Sequence, residues 1–428
     1  MKRLQEDGER ECLYQTRSGG PNYARTDLVA MLKEAQVATI RFAEENHDLI
    51  GGAVNAAPAS EETCSRQKLE GAYLGLVKVQ APMVRCSRPA FRKLCRLWGT
   101  DVSYTHMIMA DSFTRSSAAR KADFSIYAGE DRLVTQIASC SGPLAAQAAT
   151  LLAPYCDAID LNCGCPQRWV MKEGLGSALL QKPEVVADML SCIRNGLSGG
   201  LSLPCVVKMR VEDDVRRSVD FARQCEAAGC GWLTVHGRTP SCSAHAPVRL
   251  DAIRTVRECV SIPVVANGGV NNPQTALKTA LAAGVGGVMS ATGLLANPAS
   301  FYVPRDDEEL RFAPQRCGVD VALEASVGRC AGSDAGSATV DGANAAWPKV
   351  LHCCPVEVIS DFIRLSCVMD LPSKATSMHL LKMGGNYLSP TERVFVAQMH
   401  SSFSVVSTFQ QLGLYTQEGK FRVVESVT

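Results

Sequence analysis

Apolar residues in this chain gather into short runs, each closed by glycine, proline or a polar residue. Eight such runs recur from Leu76 onward: 76–83 (LVKVQAPM), 102–109 (VSYTHMIM), 132–139 (RLVTQIAS), 158–164 (AIDLNCG), 205–211 (CVVKMRV), 232–238 (WLTVHGR), 263–269 (PVVANGG) and 287–293 (GVMSATG). Between them, apolar residues repeat at three- and four-residue intervals over Pro89–Trp98, Pro183–Arg194, Val215–Ala228 and Pro273–Ala283. That spacing predicts helices packed on one face. Short apolar runs alternating with helices call for parallel strands covered by an outer helical layer. Eight units in about 220 residues are the count and size of a (β/α)8, or TIM, barrel. A doubly wound open sheet competes, but no G-x-G-x-x-G follows the first run.

The flanks read differently. Residues 1–70 are expected to form a partly ordered extension with one helix, from Asp27 to about Ile50, followed by a linker, GGAVNAAPASEET. The barrel is assigned to residues 71–303. Residues 304–347 include CAGSDAGSATVDGANAAW, whose Gly/Ala/Ser bias reads as a low-complexity insertion. After it, Val356–Met369 and Pro390–Leu412 have helical spacing, and residues 348–428 are assigned to a small all-α domain.

Composition narrows the class. The 428 residues carry 44 Lys+Arg against 43 Asp+Glu, so an anionic partner must be met by a local patch. No apolar run reaches the roughly 18 residues of a membrane span. The opening MKRLQEDGER has no apolar core and does not read as a secretory signal. None of the 19 cysteines has C-x-x-C spacing, so no metal site is expected. A cytoplasmic protein with reduced thiols is the simplest expectation, with a nuclear location also open, and a monomer is expected.

Barrels of this kind place their chemistry at the carboxyl ends of the strands. Here those ends hold Gln136, Asn162, Cys163, Cys165, Lys208, Arg210, His236, Arg238 and Asn267. In Asp160-Leu-Asn-Cys-Gly-Cys-Pro166, Gly164 allows close backbone approach and Pro166 fixes the turn, which leaves the Cys165 thiol over the barrel mouth. Cys163, still on the strand, is expected to pack. Gln136 has a second reading as a strand cap and His236 as a satisfied core histidine, and Met83 is equally a packing residue. An inward lysine such as Lys208 is rarely buried without a partner.

The segments VQAPMVRCSRPAFRKL, YTHMIMADSF, LVTQIAS, DLNCGCPQRWVMKEGLGSALL, VVKMR, VHGRT, ANGGV and GLLANP, in this order, resemble the tRNA-dihydrouridine synthases from about Val79 to Phe301. The phrasing around Tyr104–Met107 and Gly293–Pro298 is most similar to the eukaryotic branch acting at positions 20a and 20b. The resemblance implies a flavoenzyme that reduces a D-loop uridine of tRNA, with FMN as cofactor and NADPH as reductant. By motif, Pro82, Met83 and Val84 would line the isoalloxazine ring and Gln136 would bond its polar edge. Lys208 and His236 would hold its carbonyls or ribityl chain, their positive charge favouring the reduced flavin. Asn267, Gly268 and Gly269, with Ala291 and Thr292, would cradle the phosphate. Asn162 would orient the uracil, Arg168 and Arg238 would meet the tRNA, and Cys165 would protonate C5 while hydride reaches C6.

Two positions depart from the family pattern: Thr292 stands where an arginine is usual, and Gly269 where an aspartate is common. Independently of the family, the strand-end loops 84–90, 110–121, 163–173, 210–217 and 238–249 carry twelve Lys/Arg against five Asp/Glu, net +7 in a chain of net +1. A basic mouth fits a nucleic-acid substrate. Two alternatives stay open at this point: a flavin barrel reducing a small pyrimidine, and a catalytically weak tRNA-binding paralogue.

Overall fold

The structure, a computed structural model, describes residues 25–47, 59–197, 203–304, 308, 310–311, 351, 353–385 and 387–416. In chain order the elements begin with helices α1 (Leu28–Glu45) and α2 (Ala59–Leu74). The barrel follows: β1 (Val77–Gln80), α3 (Pro89–Leu97), β2 (Ser103–Tyr104), β3 (Ile108–Met109), α4 (Ala110–Arg115), α5 (Ser117–Asp123), β4 (Leu133–Ala138) and α6 (Gly142–Leu152). Next come β5 (Ala158–Cys163), α7 (Arg168–Lys172), α8 (Pro183–Leu197), β6 (Cys205–Arg210), α9 (Val215–Ala227), β7 (Leu233–His236), α10 (Leu250–Glu258), β8 (Val264–Asn267), α11 (Pro273–Ala283), β9 (Gly287–Ser290) and α12 (Thr292–Ala296). Four more helices complete the described chain: α13 (Val356–Val368), α14 (Ser373–Met383), α15 (Pro390–Ala397) and α16 (Ser402–Gln411).

All strand pairings are parallel, running β1-β9-β8-β7-β6-β5-β4-β2, with β3 also on β4. A bridge between Val79 and Val102 brings β1 back to the β2 stave, so the sheet closes on itself as the spacing predicted. The expected strand 102–109 is split in two. Between its halves the Thr105 hydroxyl accepts the Gln136 N–H at 3.1 Å, a side chain standing in for a ladder carbonyl.

Alternation sorts each strand into two layers. Inward residues Val77, Val79, Val134, Ala158, Val206, Val265 and Met289 form one apolar cluster; outward residues such as Ile159, Cys163, Val207 and Met209 pack under the helices. Cys163 therefore faces the helical layer, fully buried, and burial pushes its thiol well above the ordinary range. It packs, as expected.

Helix α1 ends at Glu45, short of the expected Ile50, and residues 48–50 lie outside the described residues. Asp27 caps it, accepting from Val29 and Ala30 N–H. Read as part of an extension, this helix is built into the barrel: Leu28, Leu32 and Ala35 join the inward cluster at the strands' amino ends. Gln36 accepts the Val264 N–H at 3.0 Å. Helix α2 starts at Ala59, inside the stretch whose composition read as a linker; alanine and glutamate favour helices as readily as they populate linkers.

The low-complexity stretch in 304–347 lies outside the described residues. Beyond it the expected helix 390–412 is two helices, broken where Ser401 accepts from the Ser404 N–H and caps α16; α14 had no counterpart in the sequence reading. These helices share the barrel's outer core. Trp98 donates to Asp361 at 3.1 Å, and His379 stacks on Phe91 at 4.6 Å.

Candidate active site

Five strands deliver inward polar side chains to the carboxyl end of the barrel. Register places Gln136 beside Asp160, Asn162 beside Lys208, Arg210 beside His236, and His236 beside Asn267. Gln136 donates from Nε2 to Asp160 Oδ2 at 2.7 Å and accepts from Asn162 Nδ2 at 2.9 Å. Asn162 Oδ1 in turn accepts the backbone N–H groups of Gly164 (3.1 Å) and Cys165 (2.9 Å). Gln136 and Asn162 are thus tied to each other, and Asn162 to the cysteine loop.

Cys165 is half-buried against Met107, Ala138, Val170 and Leu175. Its carbonyl accepts the Ser177 N–H at 3.0 Å. Gly176, with φ +61°, passes so close that a Cβ there would lie 2.6 Å from that carbonyl. From the other side Arg210 donates to Gly164 O at 2.8 Å and, more weakly, to the carbonyls of Arg238 and Thr239, both at 3.3 Å. The thiol therefore sits on a loop pinned from three directions.

Two donors of the same mouth, Lys208 and His236, are unspent. Among the described residues Lys208 Nζ has no hydrogen-bond acceptor within the protein, and Asp160 acts on it only through charge. Burial, and then the neighbouring Arg210, push its ammonium down to about 8, while Asp160 pulls it back up. Burial pushes Asp160 up to about 8, opposed by the Gln136 N–H and Lys208. His236 Nδ1 accepts the Arg238 backbone N–H at 3.1 Å, which leaves the ring proton on Nε2. Burial, followed by Lys208, Arg210 and Arg238, holds this imidazole far below its ordinary range. His236 is thus a neutral donor, and the positive charge expected from the pair resides in Lys208.

The loops after β8 and β9 lie against each other. Asn267 Nδ2 donates to Met289 O at 2.9 Å and Ser290 Oγ to Val270 O at 2.6 Å. A Cβ on Gly293 would meet Val270 O at 2.7 Å. Gly268 (φ +116°) and Gly269 (φ +71°) adopt the left-handed conformation that their lack of a side chain permits. Ala291 caps the short helix opened by Thr292, whose side chain is exposed. Across the mouth, Pro82 and Met83 are half-buried and Val84 is 44% exposed. Ser87 shapes this turn: it accepts from Met83 N–H (2.9 Å) and Gln80 Nε2 (2.8 Å) and donates to Ala81 O (3.1 Å).

The basic rim divides in two. Arg115, Arg120, Arg210, Arg216, Arg238 and Arg249 are engaged by protein oxygens; Arg238 donates to Ala246 O. Arg85, Lys121, Arg168, Lys172 and Arg217 are exposed and, with half-buried Arg88, make no ion pair or side-chain hydrogen bond among the described residues. Beside Arg168 stands Trp169, 50% exposed, its indole N–H spent on Gln167 at 2.8 Å.

Sequence reasoning gave no role to Asp160, Ser87 or Gly176. Asp160, like Lys208, is an inward ionisable group in an apolar strand, a pattern visible in the sequence. Ser87 and Gly176 act through backbone contacts that no residue pattern announces.

The dihydrouridine synthase (Dus) family model matches residues 79–322. The chain belongs to that family, a family of oxidoreductases. Among its relatives is a human protein named tRNA-dihydrouridine(20a/20b) synthase [NAD(P)+]-like, 45% identical over 253 residues, 58% of this chain and 77% of that one. The fission yeast tRNA-dihydrouridine(20a/20b) synthase [NAD(P)+] is 43% identical over 225 residues, 53% and 68% of the two chains. A rat tRNA-dihydrouridine(16/17) synthase [NAD(P)(+)]-like protein is 38% identical over 231 residues, 53% and 52%.

Proposed function

We propose that this chain reduces the C5–C6 bond of a D-loop uridine in tRNA, at position 20a or 20b, using FMN as cofactor and NADPH as reductant. The observation that carries this reading is the Cys165 loop, anchored by Asn162 over a mouth where Lys208 and His236 offer unspent donors. The donor set suits a flavin. Lys208 and His236 match carbonyl acceptors, one charged and one neutral. Gln136 retains a second amide hydrogen and lone pair beyond its bonds to Asp160 and Asn162. The glycine turn at 268–269 and the loop at Ala291–Thr292 leave close backbone approach for a phosphate. Pro82, Met83 and Val84 offer an apolar wall.

Bound FMN would supply the hydride that reaches C6. The chain's own part is to orient the uracil through Asn162, keep Lys208 charged near the flavin, and deliver the Cys165 thiol proton to C5. Arg168 and Arg238 border the path a base takes, and exposed Arg168 is the one free to meet phosphate. The names of the 20a/20b relatives support the tRNA position and the nicotinamide.

Cys165→Ala is expected to bind FMN and accept electrons from NADPH, yet to form dihydrouridine on tRNA at least about a hundredfold more slowly, the scale of a positioned acid. Cys163→Ala should stay within about threefold of the parent, because its thiol only packs. Equal losses in the two variants, with dihydrouridine measured by mass spectrometry, would overturn the assignment of the acid.

A further inference from the structure

We infer that Asp160 is a positioning residue, which sets the direction of an amide chain that holds the Cys165 loop in place. It lies inside the barrel, fully buried, and reaches the loop only through Gln136 and Asn162. Its oxygen Oδ2 is an acceptor toward Gln136. That forces the Gln136 NH2 inward and its carbonyl oxygen toward Asn162. Asn162 must then present its own NH2 to Gln136 and its oxygen to the backbone N–H groups of Gly164 and Cys165. An amide is nearly symmetric in shape, so packing alone does not choose between its two orientations; acceptors do, Asp160 Oδ2 for Gln136 and, for Asn162, the Gln136 oxygen together with Met107 Sδ at 3.0 Å.

Reversing either amide would aim an NH2 at the loop's N–H groups, and the thiol's anchor would be gone. The direction survives protonation of Asp160 on Oδ1, because Oδ2 then still accepts. Oδ1 itself has no partner among the described residues, so it places no opposing demand on the chain. Two different amides linked end to end to one buried carboxyl make a relay rather than a packing contact.

Only the consequence for catalysis rests on the proposed function; loop order does not. The test is hydrogen exchange of the Gly164 and Cys165 amides in the full-length protein without tRNA. Asp160→Leu keeps the branched outline, with bulkier methyls in place of oxygens, and removes the acceptor, whereas Asp160→Asn keeps an acceptor and removes the charge. Both lose the carboxylate opposite Lys208, so their difference isolates the hydrogen bond. The expected result is exchange at least about tenfold faster in Asp160→Leu, with Asp160→Asn within about twofold of the parent. Dihydrouridine formation should fall in parallel in Asp160→Leu while tRNA affinity is kept.

Unchanged exchange in Asp160→Leu, or equal acceleration in both variants, would overturn the relay. Faster exchange with an unchanged rate of modification would overturn its link to the thiol. Should Asp160→Leu fail to fold, Gln136→Met removes the middle link and is expected to speed the same two amides; unchanged exchange there overturns the proposal.

Discussion

At the scale of single residues, the mouth separates charge from hydrogen bonding. His236 is a neutral donor whose tautomer is set by a backbone N–H, while Lys208 carries the charge. Asp160 and Lys208 titrate as one buried pair, and raising the pH through about 8 takes protons from that pair, which makes the site more negative. FMN affinity is therefore expected to hold near pH 7 and to weaken progressively above about 8, with a smaller weakening in Lys208→Met. Titrations by flavin fluorescence decide it; identical pH dependence in both proteins would be incompatible with this account. Thr292 is a second single-residue matter. Its exposed side chain offers the phosphate no charge, and Thr292→Arg should tighten FMN binding by about 1 kcal/mol, roughly fivefold, after allowance for solvent screening. No gain in the same titration would mean that the loop does not face the phosphate.

At the scale of elements, the strands were legible because a strand buried on both faces leaves a continuous apolar run, and the helices because they bury one stripe. What was not legible depends on contacts between distant segments. The break in the stave 102–109 comes from Thr105 meeting Gln136 from another strand. Helix α1 was visible as a helix, but its place in the floor was not, since its partners Val77, Val206 and Val265 are far off in sequence. That floor is tightly fitted: a Cβ on Gly286 would lie 2.1 Å from Gln36 N, in the backbone of α1. Leu32→Ala should cost about 2–5 kcal/mol in urea unfolding, and Gly286→Ala at least as much, because a backbone contact cannot swing aside. Val37, 51% exposed on the same helix, serves as control; Val37→Ala should stay within about 0.5 kcal/mol. A Leu32→Ala protein as stable as that control would show that the floor closes without α1.

At the scale of the whole molecule, the carboxyl-terminal helices and the barrel mouth form one surface. Trp98 bonded to Asp361 and Phe91 stacked on His379 fix α13 and α14 against α3, the helix that follows the mouth loop at 82–87. His379 is consumed by this packing, and Arg393 by the carbonyls of Leu388 and Gly385. Lys374 and Lys382 remain exposed and unpaired among the described residues, and Lys382 lies near enough to the mouth for its charge to act on the Cys86 thiol. A target base held in folded tRNA must be turned out to reach the barrel, so the RNA backbone needs a grip beside the mouth while the base leaves its stack. Removing residues 348–428 would strip Phe91 and Trp98 of their cover and confuse recognition with stability, so charge reversal is the sharper probe. The double variant Lys374→Glu, Lys382→Glu is expected to keep its thermal midpoint and FMN content. Its tRNA affinity should be weaker at low salt and less salt-dependent, the slope of log affinity against log salt falling by about 0.7–0.9 for each phosphate left without its cation. The measurement is a filter-binding titration of both proteins against tRNA at several salt concentrations, with dihydrouridine assayed alongside. Parallel salt slopes would place the grip elsewhere, on other exposed cations of the mouth such as Arg85, Arg168 and Lys172.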